Sequence, residues 1–297
     1  MARITPLTLL WLILPPLLWA GNAVAGRLAV GSVSPLLLNA VRWAIAALIL
    51  LPLGWRILKA GSPLWPRWRR FAVLGLLGMG SYNALQYLAL TTSSPINVTL
   101  IAASMPVWML TVGALCYGER ARHAQMLGAL LSLAGVLLVL SRGDWDTLRQ
   151  VRLVPGDLYM LAAVIAWAFY SWMLARPGPG EREWPWAEFL MAQMAIGLLW
   201  AGGAALGEWA AGSAHLAWNG WVLVLLAYVA IGPSLIAYRC WGLGVAALGP
   251  TIAAFFGNLT PVFAAVMSAA LLGDPPRWFH GAAFVLIAAG IVVSSRR

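Results

Sequence analysis

Residues 258–274 read NLTPVFAAVMSAALLGD, and residues 104–119 read SMPVWMLTVGALCYGE. Each stretch has a proline near its start, continues as an apolar run, and closes on a glycine and an acidic residue. The matching residues recur at one offset of 155 positions, in the pairs Pro106 and Pro261, Gly118 and Gly273, and Glu119 and Asp274. One motif therefore occurs twice, which indicates an internal repeat.

The composition indicates a chain that lies mostly in lipid. Of its 297 residues, 62% are hydrophobic and 9% are charged, whereas soluble domains carry about 45–50% apolar and about 25% charged residues. The apolar runs are continuous and about 20 residues long, the length of a helix that crosses a hydrocarbon core about 30 Å thick. We expect an all-α polytopic membrane protein with ten transmembrane helices, at residues 7–30, 34–53, 69–90, 95–117, 123–140, 156–176, 187–207, 218–241, 248–272 and 277–294.

The first of these spans also fits a cleaved signal peptide. It begins MARITPLTLLWLILPPLLWAGNAVAG, with a basic start, an apolar middle and the small residues Ala23-Val24-Ala25. We favour a transmembrane span because the apolar run resumes after Ala25 and the segment resembles a later one.

The repeat predicts how the chain is divided. Two further pairs share the offset of 155, Pro95 with Pro250 and Gly135 with Gly290. We expect residues 1–150 to form a first five-helix repeat and residues 151–297 a second, together one transmembrane domain. Because five is odd, the second repeat enters the membrane in the opposite orientation, which is the inverted repeat of many secondary transporters.

The basic residues predict that both termini are cytoplasmic. With a cytoplasmic N-terminus, the inner segments hold 13 lysines and arginines and the outer segments hold 5, as the positive-inside rule requires. Orientation therefore explains the net charge of +10 without a nucleic-acid partner. Cys116 and Cys240 lie in apolar spans and have no metal-ligand spacing. We expect a lipid bilayer and a small-molecule substrate as partners, and no cofactor, metal or nucleic acid; the oligomeric state stays open, and a monomer is compatible with the sequence.

Several segments carry a family pattern, with counterparts in the second half. They are LLWAGNAVAGRLA at residues 17–29, SPLLLNAVRW at 34–43, MPVWMLTVGALCYGE at 105–119 and LGALLSLAGVLLVL at 127–140. In these motifs the chain resembles the ten-helix EamA-type carriers of the drug/metabolite transporter superfamily, and its many tryptophans look most like the branch of bacterial aromatic amino-acid exporters, the YddG type. The resemblance implies a bacterial inner-membrane location and a central cavity lined by the first four helices of each half, with the fifth and tenth helices as peripheral supports.

Polar and aromatic residues near the middle of the spans are the candidates for a substrate site. Polar groups are costly in lipid and therefore face a cavity or another helix, and spacings of three and four residues identify shared helix faces. The alternative is hydrogen bonding between packed helices. We favour a cavity because such faces occur in six of the eight helices expected around it. The predicted substrate-binding residues are Trp19, Asn22, Arg42, Tyr82, Asn83, Gln86, Trp108, Trp167, Tyr170, Tyr238 and Asn258.

Charged residues inside the spans bear on the mechanism. A buried arginine such as Arg42 costs about 2.5–3.5 kcal/mol, so we expect it to contact a substrate carboxylate, or to snorkel or bond backbone carbonyls near the outer end of its span. All nine acidic residues fall at span ends or in loops, which leaves no mid-membrane carboxylate for proton coupling. A membrane enzyme would need a nucleophile and a base at one depth, and the spans contain no histidine or acidic residue near their middle. A channel would need a ring of like groups, whereas the internal repeat favours alternating access.

We therefore expect an inner-membrane carrier that is not an enzyme. It would export amino acids, including aromatic ones, or similar small metabolites, by alternating access and facilitated diffusion. The alternative is a proton-coupled transporter of another small metabolite or a drug. Prolines within the spans predict kinks or hinges, at Pro15, Pro16, Pro106, Pro233 and Pro261.

Overall fold

The computed structural model describes residues 5–29, 31–272 and 277–295, so Gly273 and Asp274 of the repeated motif lie outside the described residues. Within the described ranges the secondary structure is helical, apart from one isolated bridge between Val33 and Leu216. The longer elements are α1 (Pro6–Ala29), α2 (Pro35–Gly54), α3 (Trp68–Gly75), the π-helical segment π1 (Leu76–Ser81), α4 (Tyr82–Thr92), α5 (Pro95–Ala103), α6 (Met105–Tyr117), α7 (His123–Leu140), α8 (Trp145–Arg149), α9 (Pro155–Ala175), α10 (Trp186–Ala210), α11 (Gly220–Val229), the π-helical segment π2 (Ala230–Ile236), α12 (Ala237–Leu248), α13 (Pro250–Gly257), α14 (Thr260–Leu272) and α15 (Trp278–Ser295).

The number of membrane-length helices agrees with a polytopic membrane protein. In the described part of the chain, eight helices are long and apolar enough to cross a membrane. The pair Asn97–Ala103 and Met105–Tyr117, bent by 41°, gives a ninth if it is counted as one span. The continuous helix formed by α3, π1 and α4 occupies the predicted third span. The predicted all-α membrane fold is confirmed.

The predicted fourth and ninth spans are each broken just before a proline. Pro106 and Pro261 have no N–H to continue the helical ladder, and the breaks separate α5 from α6 and α13 from α14. Hydroxyl groups bond the carbonyls left at the breaks. Ser104 Oγ donates to the carbonyl three residues before it at 2.6 Å, and Thr260 Oγ1 donates to the Gly257 carbonyl at 2.7 Å.

The third and eighth spans contain π1 and π2 at corresponding places. A π-helical turn shifts the backbone register and is often found at functional sites. In π1, the Gly78 carbonyl accepts a hydrogen bond from the Tyr238 hydroxyl. In π2, which contains Pro233, the carbonyl of that proline accepts one from Trp19 Nε1 at 3.3 Å. By contrast, α1 runs on without a break through its two internal prolines.

The helices pair across the two halves of the chain. The pairs are α2 with α10, α4 with α9, α1 with α12, and α7 with α15. Exchanging each span for its counterpart in the other half of the chain converts the α4–α9 pair into the α12–α1 pair. The other two pairs are unchanged by this exchange. The α7–α15 pair is especially close at two glycines, because a Cβ on Gly128 or Gly290 would lie 2.7 Å from the carbonyl oxygen of the other.

Candidate functional site

A central cavity of about 130 Å³ lies between the two halves of the chain. A single ordered water needs about 10–15 Å³ of such space, so the cavity has room for a small metabolite. Six of the eleven predicted substrate-binding residues line it, namely Trp19, Asn22, Tyr82, Asn83, Gln86 and Asn258. The rest of the lining consists of Leu90, Val98, Thr99, Ala102, Ala103, Met105, Gly257, Thr260 and Pro261.

Three further predicted residues form an aromatic cluster directly behind this lining. Trp167, Tyr170 and Tyr238 are buried. The Trp167 ring centroid lies 5.2 Å from that of Trp19, 5.0 Å from that of Tyr82 and 5.3 Å from that of Tyr238. Aromatic pairs at such distances contribute about 0.5–1.5 kcal/mol beyond their buried area. The cluster therefore holds the aromatic wall of the cavity in a fixed arrangement.

Arg42 is fully buried, with an exposed fraction of 0%. Its Nε and Nη2 atoms donate to Ser234 Oγ at 2.9 and 2.7 Å, and its Nη1 atom donates to the Tyr87 hydroxyl at 2.9 Å and to Asn22 Oδ1 at 3.3 Å. The expectation of snorkelling or of backbone carbonyl partners is wrong, because side-chain oxygens surround the guanidinium. All of these acceptors are neutral, and no described carboxylate forms a salt bridge with Arg42.

Trp108 does not line the cavity. It is partly buried and packs against the hydrophobic core on α6. Asn97 belongs to the same predicted span as Trp108 and lies at a helix end. There its Nδ2 donates to Asp157 Oδ2 at 2.9 Å and to the Arg152 carbonyl at 2.8 Å. The break at Ser104 places these two residues on separate helices, so a single face across the fourth span does not exist.

The buried acidic residues of the described chain serve helix ends and loops. Glu208 accepts hydrogen bonds from the backbone N–H groups of Leu36 and Leu37 at 3.2 and 2.9 Å, at the start of α2. A negative charge there is favourable because unpaired N–H groups and the helix dipole make a helix N-terminus positive. Asp157 similarly accepts from the Val154 N–H at 2.8 Å. No acidic side chain is among the described residues that line the cavity.

Two residues next to the site were not in the predicted set. Tyr87 and Ser234 bond Arg42, and Tyr87 also donates to Asn22 Oδ1 at 3.1 Å. Both lie on polar helix faces that contain predicted residues, so helix periodicity could have identified them as candidates for the site. What the sequence did not contain is the contact with Arg42, because the three residues come from different spans.

A bundle of membrane-length helices that encloses a small cavity between two similar halves is the architecture of a membrane transporter. The sequence model of the EamA-like transporter family matches residues 6–141 and, a second time, residues 154–296. The chain belongs to the EamA-like transporter family, and the resemblance seen in its motifs is confirmed.

Named relatives are similar over most of the chain. An aromatic amino acid exporter, YddG, of Ancylobacter novellus is 29% identical over 235 residues, covering 77% of this chain and 76% of that relative. A probable terminal-alkyne amino-acid exporter of Streptantibioticus cattleyicolor is 27% identical over 286 residues, covering 93% and 86%. The uncharacterized transporter YyaM of Bacillus subtilis is 25% identical over 235 residues, covering 76% and 72%.

A solved crystal structure shares the fold. It is 24% identical, covers 96% of this chain and 95% of its own, and superimposes with a TM-score of 0.73. The similarity extends over nearly the whole of both chains, so the arrangement of the helices is one that a solved structure also has.

Proposed function

We propose that this transporter exports amino acids, including aromatic ones, or similar small metabolites across the bacterial inner membrane. The observation that carries the proposal is the composition of the cavity wall, which combines the aromatic rings of Trp19 and Tyr82 with the amides of Asn22, Asn83 and Asn258. Amides can bond a carboxylate or an ammonium, and an aromatic face attracts an ammonium by about 0.5–2 kcal/mol. Two relatives named as amino-acid exporters support the same substrate class.

The proposed mechanism is alternating access between two inverted repeats, residues 1–150 and 151–297, with both termini in the cytoplasm. The family match in two parts and the exchangeable helix pairs support this division. Positions 155 residues apart also touch at the cavity: Asn83 Nδ2 lies 3.4 Å from the Tyr238 hydroxyl, and Asn258 Nδ2 lies 3.2 Å from the Ala103 carbonyl. Positions related by a two-fold axis approach one another only near that axis, which favours a site between the repeats.

The proposed energetics is facilitated diffusion. Proton-coupled carriers place carboxylates or histidines at mid-membrane, whereas the described lining of this cavity is aromatic, amide, hydroxyl and aliphatic. The charged side chain that bonds Asn22 of this lining is Arg42, whose guanidinium has donors and no acceptor. We therefore expect substrate to move down its own gradient.

Counterflow in proteoliposomes tests the function. Liposomes holding purified protein are preloaded with one unlabelled compound and exposed to its labelled form, using aromatic and aliphatic amino acids, nucleosides and cationic drugs. We expect labelled aromatic amino acids to accumulate, and to do so equally when an uncoupler has collapsed the proton gradient. Accumulation of only nucleosides or drugs would reject the substrate class. Loss of all exchange with the uncoupler would support the proton-coupled alternative.

A further inference from the structure

Three asparagines line the cavity, and their hydrogen bonds decide which end of each amide is left for a ligand. A side-chain amide has an oxygen that only accepts and an NH₂ group that only donates. The partners of Asn22, Asn83 and Asn258 are therefore informative wherever they can act in only one way.

Asn22 leaves its NH₂ group for the cavity. Its Oδ1 receives Arg42 Nη1 at 3.3 Å and the Tyr87 hydroxyl at 3.1 Å. A guanidinium has donors and no acceptor, so the atom facing Arg42 must be the oxygen. The Tyr87 hydroxyl accepts from Arg42 at 2.9 Å, which directs its single proton toward Asn22. Among the described residues, nothing bonds the Nδ2 group of this side chain.

Asn258 leaves its oxygen for the cavity. Its Nδ2 donates to the Ala103 carbonyl at 3.2 Å and to Ser132 Oγ at 2.8 Å, which uses both protons. A carbonyl can only accept, so the amide cannot be reversed without losing the bond to Ala103. In the described part of the chain, Oδ1 of Asn258 has no partner.

Asn83 has the same polarity as Asn258. The Tyr238 hydroxyl donates its only proton to the Gly78 carbonyl. It can therefore only accept from Asn83, whose Nδ2 lies 3.4 Å away. The Oδ1 of Asn83 makes no bond within the described residues. Gln86 also lines the cavity, and no described hydrogen bond orients its amide.

We propose that the cavity binds a zwitterionic α-amino acid in a single orientation. The carboxylate lies at a donor pole, formed by the NH₂ group of Asn22. The ammonium lies at an acceptor pole, formed by the amide oxygens of Asn83 and Asn258. The substrate side chain then contacts the aromatic wall. This assignment rests on the proposed export of amino acids and adds to it the direction in which the substrate lies.

Arg42 is a positioning residue of the donor pole. Its donors hold the Asn22 oxygen away from the cavity, and its positive charge, paired with no described carboxylate, attracts a carboxylate at this end. Charge interactions are strong here because the guanidinium is fully buried, away from the screening of bulk water. A carrier built this way discriminates against amines that lack a carboxylate, since they leave the donor pole and the buried charge unpaired.

Two isosteric substitutions test the assignment. Asn22→Asp replaces donors by an acceptor and a negative charge, and Asn258→Asp keeps an acceptor at the opposite pole. Purified variants in proteoliposomes exchange labelled L-phenylalanine, with phenethylamine (no carboxylate) and 3-phenylpropionate (no ammonium) as competitors. We expect Asn22→Asp to raise the apparent affinity for phenethylamine, relative to that for phenylalanine, by tenfold or more. Asn258→Asp should leave this ratio of apparent affinities as in the wild type and should weaken competition by 3-phenylpropionate.

Arg42 has its own variants. Arg42→Met removes the donors that orient Asn22, so the KM for phenylalanine should rise about tenfold while competition by phenethylamine is unchanged. Arg42→Lys, which keeps a cation with donors only, should restore part of the affinity. A merely structural role would change the transport of both compounds together.

The failures of the two proposals are distinguishable. A wild-type protein that exchanges no amino acid overturns the proposed function. A wild-type protein that exchanges phenylalanine, with both Asp variants shifting the competition ratio alike, overturns only the orientation. Asn258→Asp places a carboxylate oxygen against the Ala103 carbonyl, which can only accept. If that variant does not fold, Asn83→Asp tests the same acceptor pole by the same ratio.

Discussion

Replacing Trp167 with phenylalanine tests whether the aromatic cluster contacts substrate or only packs. The Nε1 atom of Trp167 is buried and has no hydrogen-bond partner among the described residues, whereas Trp172 Nε1 donates to the Met109 carbonyl at 2.8 Å. Trp167→Phe therefore removes a buried donor without a described partner, a group that costs about 1–3 kcal/mol. Trp172→Phe removes a hydrogen bond to a carbonyl within α6, which contributes about 0.5–1.5 kcal/mol. Because both variants lose the same indole portion, the burial terms largely cancel in the comparison.

We expect Trp172→Phe to be less stable than Trp167→Phe by at least about 1 kcal/mol, a difference of a few degrees in the Tm of the purified proteins. Transport should instead be impaired more in Trp167→Phe than in Trp172→Phe. If substrate accepts a hydrogen bond from Trp167 during the cycle, Trp167→Phe loses about 0.5–1.5 kcal/mol of binding, and the KM for phenylalanine exchange rises roughly two- to tenfold. Equal losses of Tm and an unchanged KM in both variants would refute the reasoning.

Three further outcomes are expected. Ala60→Cys should react with a membrane-impermeant thiol reagent only from the cytoplasmic side, and Gln150→Cys only from outside, because of the bias in basic residues. Gly290→Leu should destabilise the protein by about 1–3 kcal/mol, measured by thermal unfolding, since a Cβ there meets the Gly128 carbonyl at 2.7 Å. Asn83→Ala should lower amino-acid flux about tenfold, equivalent to about 1.4 kcal/mol, at normal membrane levels.

Matched controls separate these effects from general damage. The accessibility experiment needs a background in which Cys116 and Cys240, both free thiols, are replaced by serine. Gly281→Leu lies on the same helix as Gly290 with nothing within 4 Å of its Cβ, so it should leave the Tm unchanged. Thr111→Val removes a hydroxyl that bonds the carbonyl four residues before it, and it should leave flux intact. Reactivity of both new cysteines from one side, or equal effects within a pair, would contradict the corresponding prediction.

Ser132 shows how a peripheral helix can still contact the site. It lies on α7, the fifth span, which the family resemblance placed outside the cavity as a support. In the structure Ser132 is fully buried and accepts a hydrogen bond from Asn258 Nδ2 at 2.8 Å. Its position on the helix was visible in the sequence, but its neighbour 126 residues later was not.

The sequence alone determined the class of fold and the repeated motif. The length of the apolar runs matches the thickness of the bilayer core. Membrane-spanning helices can therefore be predicted without knowing which helices contact one another. The offset of 155 residues is likewise a property of the chain. The polar mid-span positions then identified six residues that line the cavity, because a polar group in lipid must face a cavity or another helix.

Only the tertiary structure decided which of those positions converge. Lipid tails are as apolar as leucine, so the apolar pattern of a membrane helix does not distinguish its lipid-facing side from its buried side. The packing of α4 and π2 against α2, and of α1 against π2, brings Tyr87, Ser234 and Asn22 around Arg42. The break at Ser104 separates Trp108 from the residues before it. The direction of each cavity amide follows from donors and acceptors on other helices, and such contacts exist only once the helices have packed.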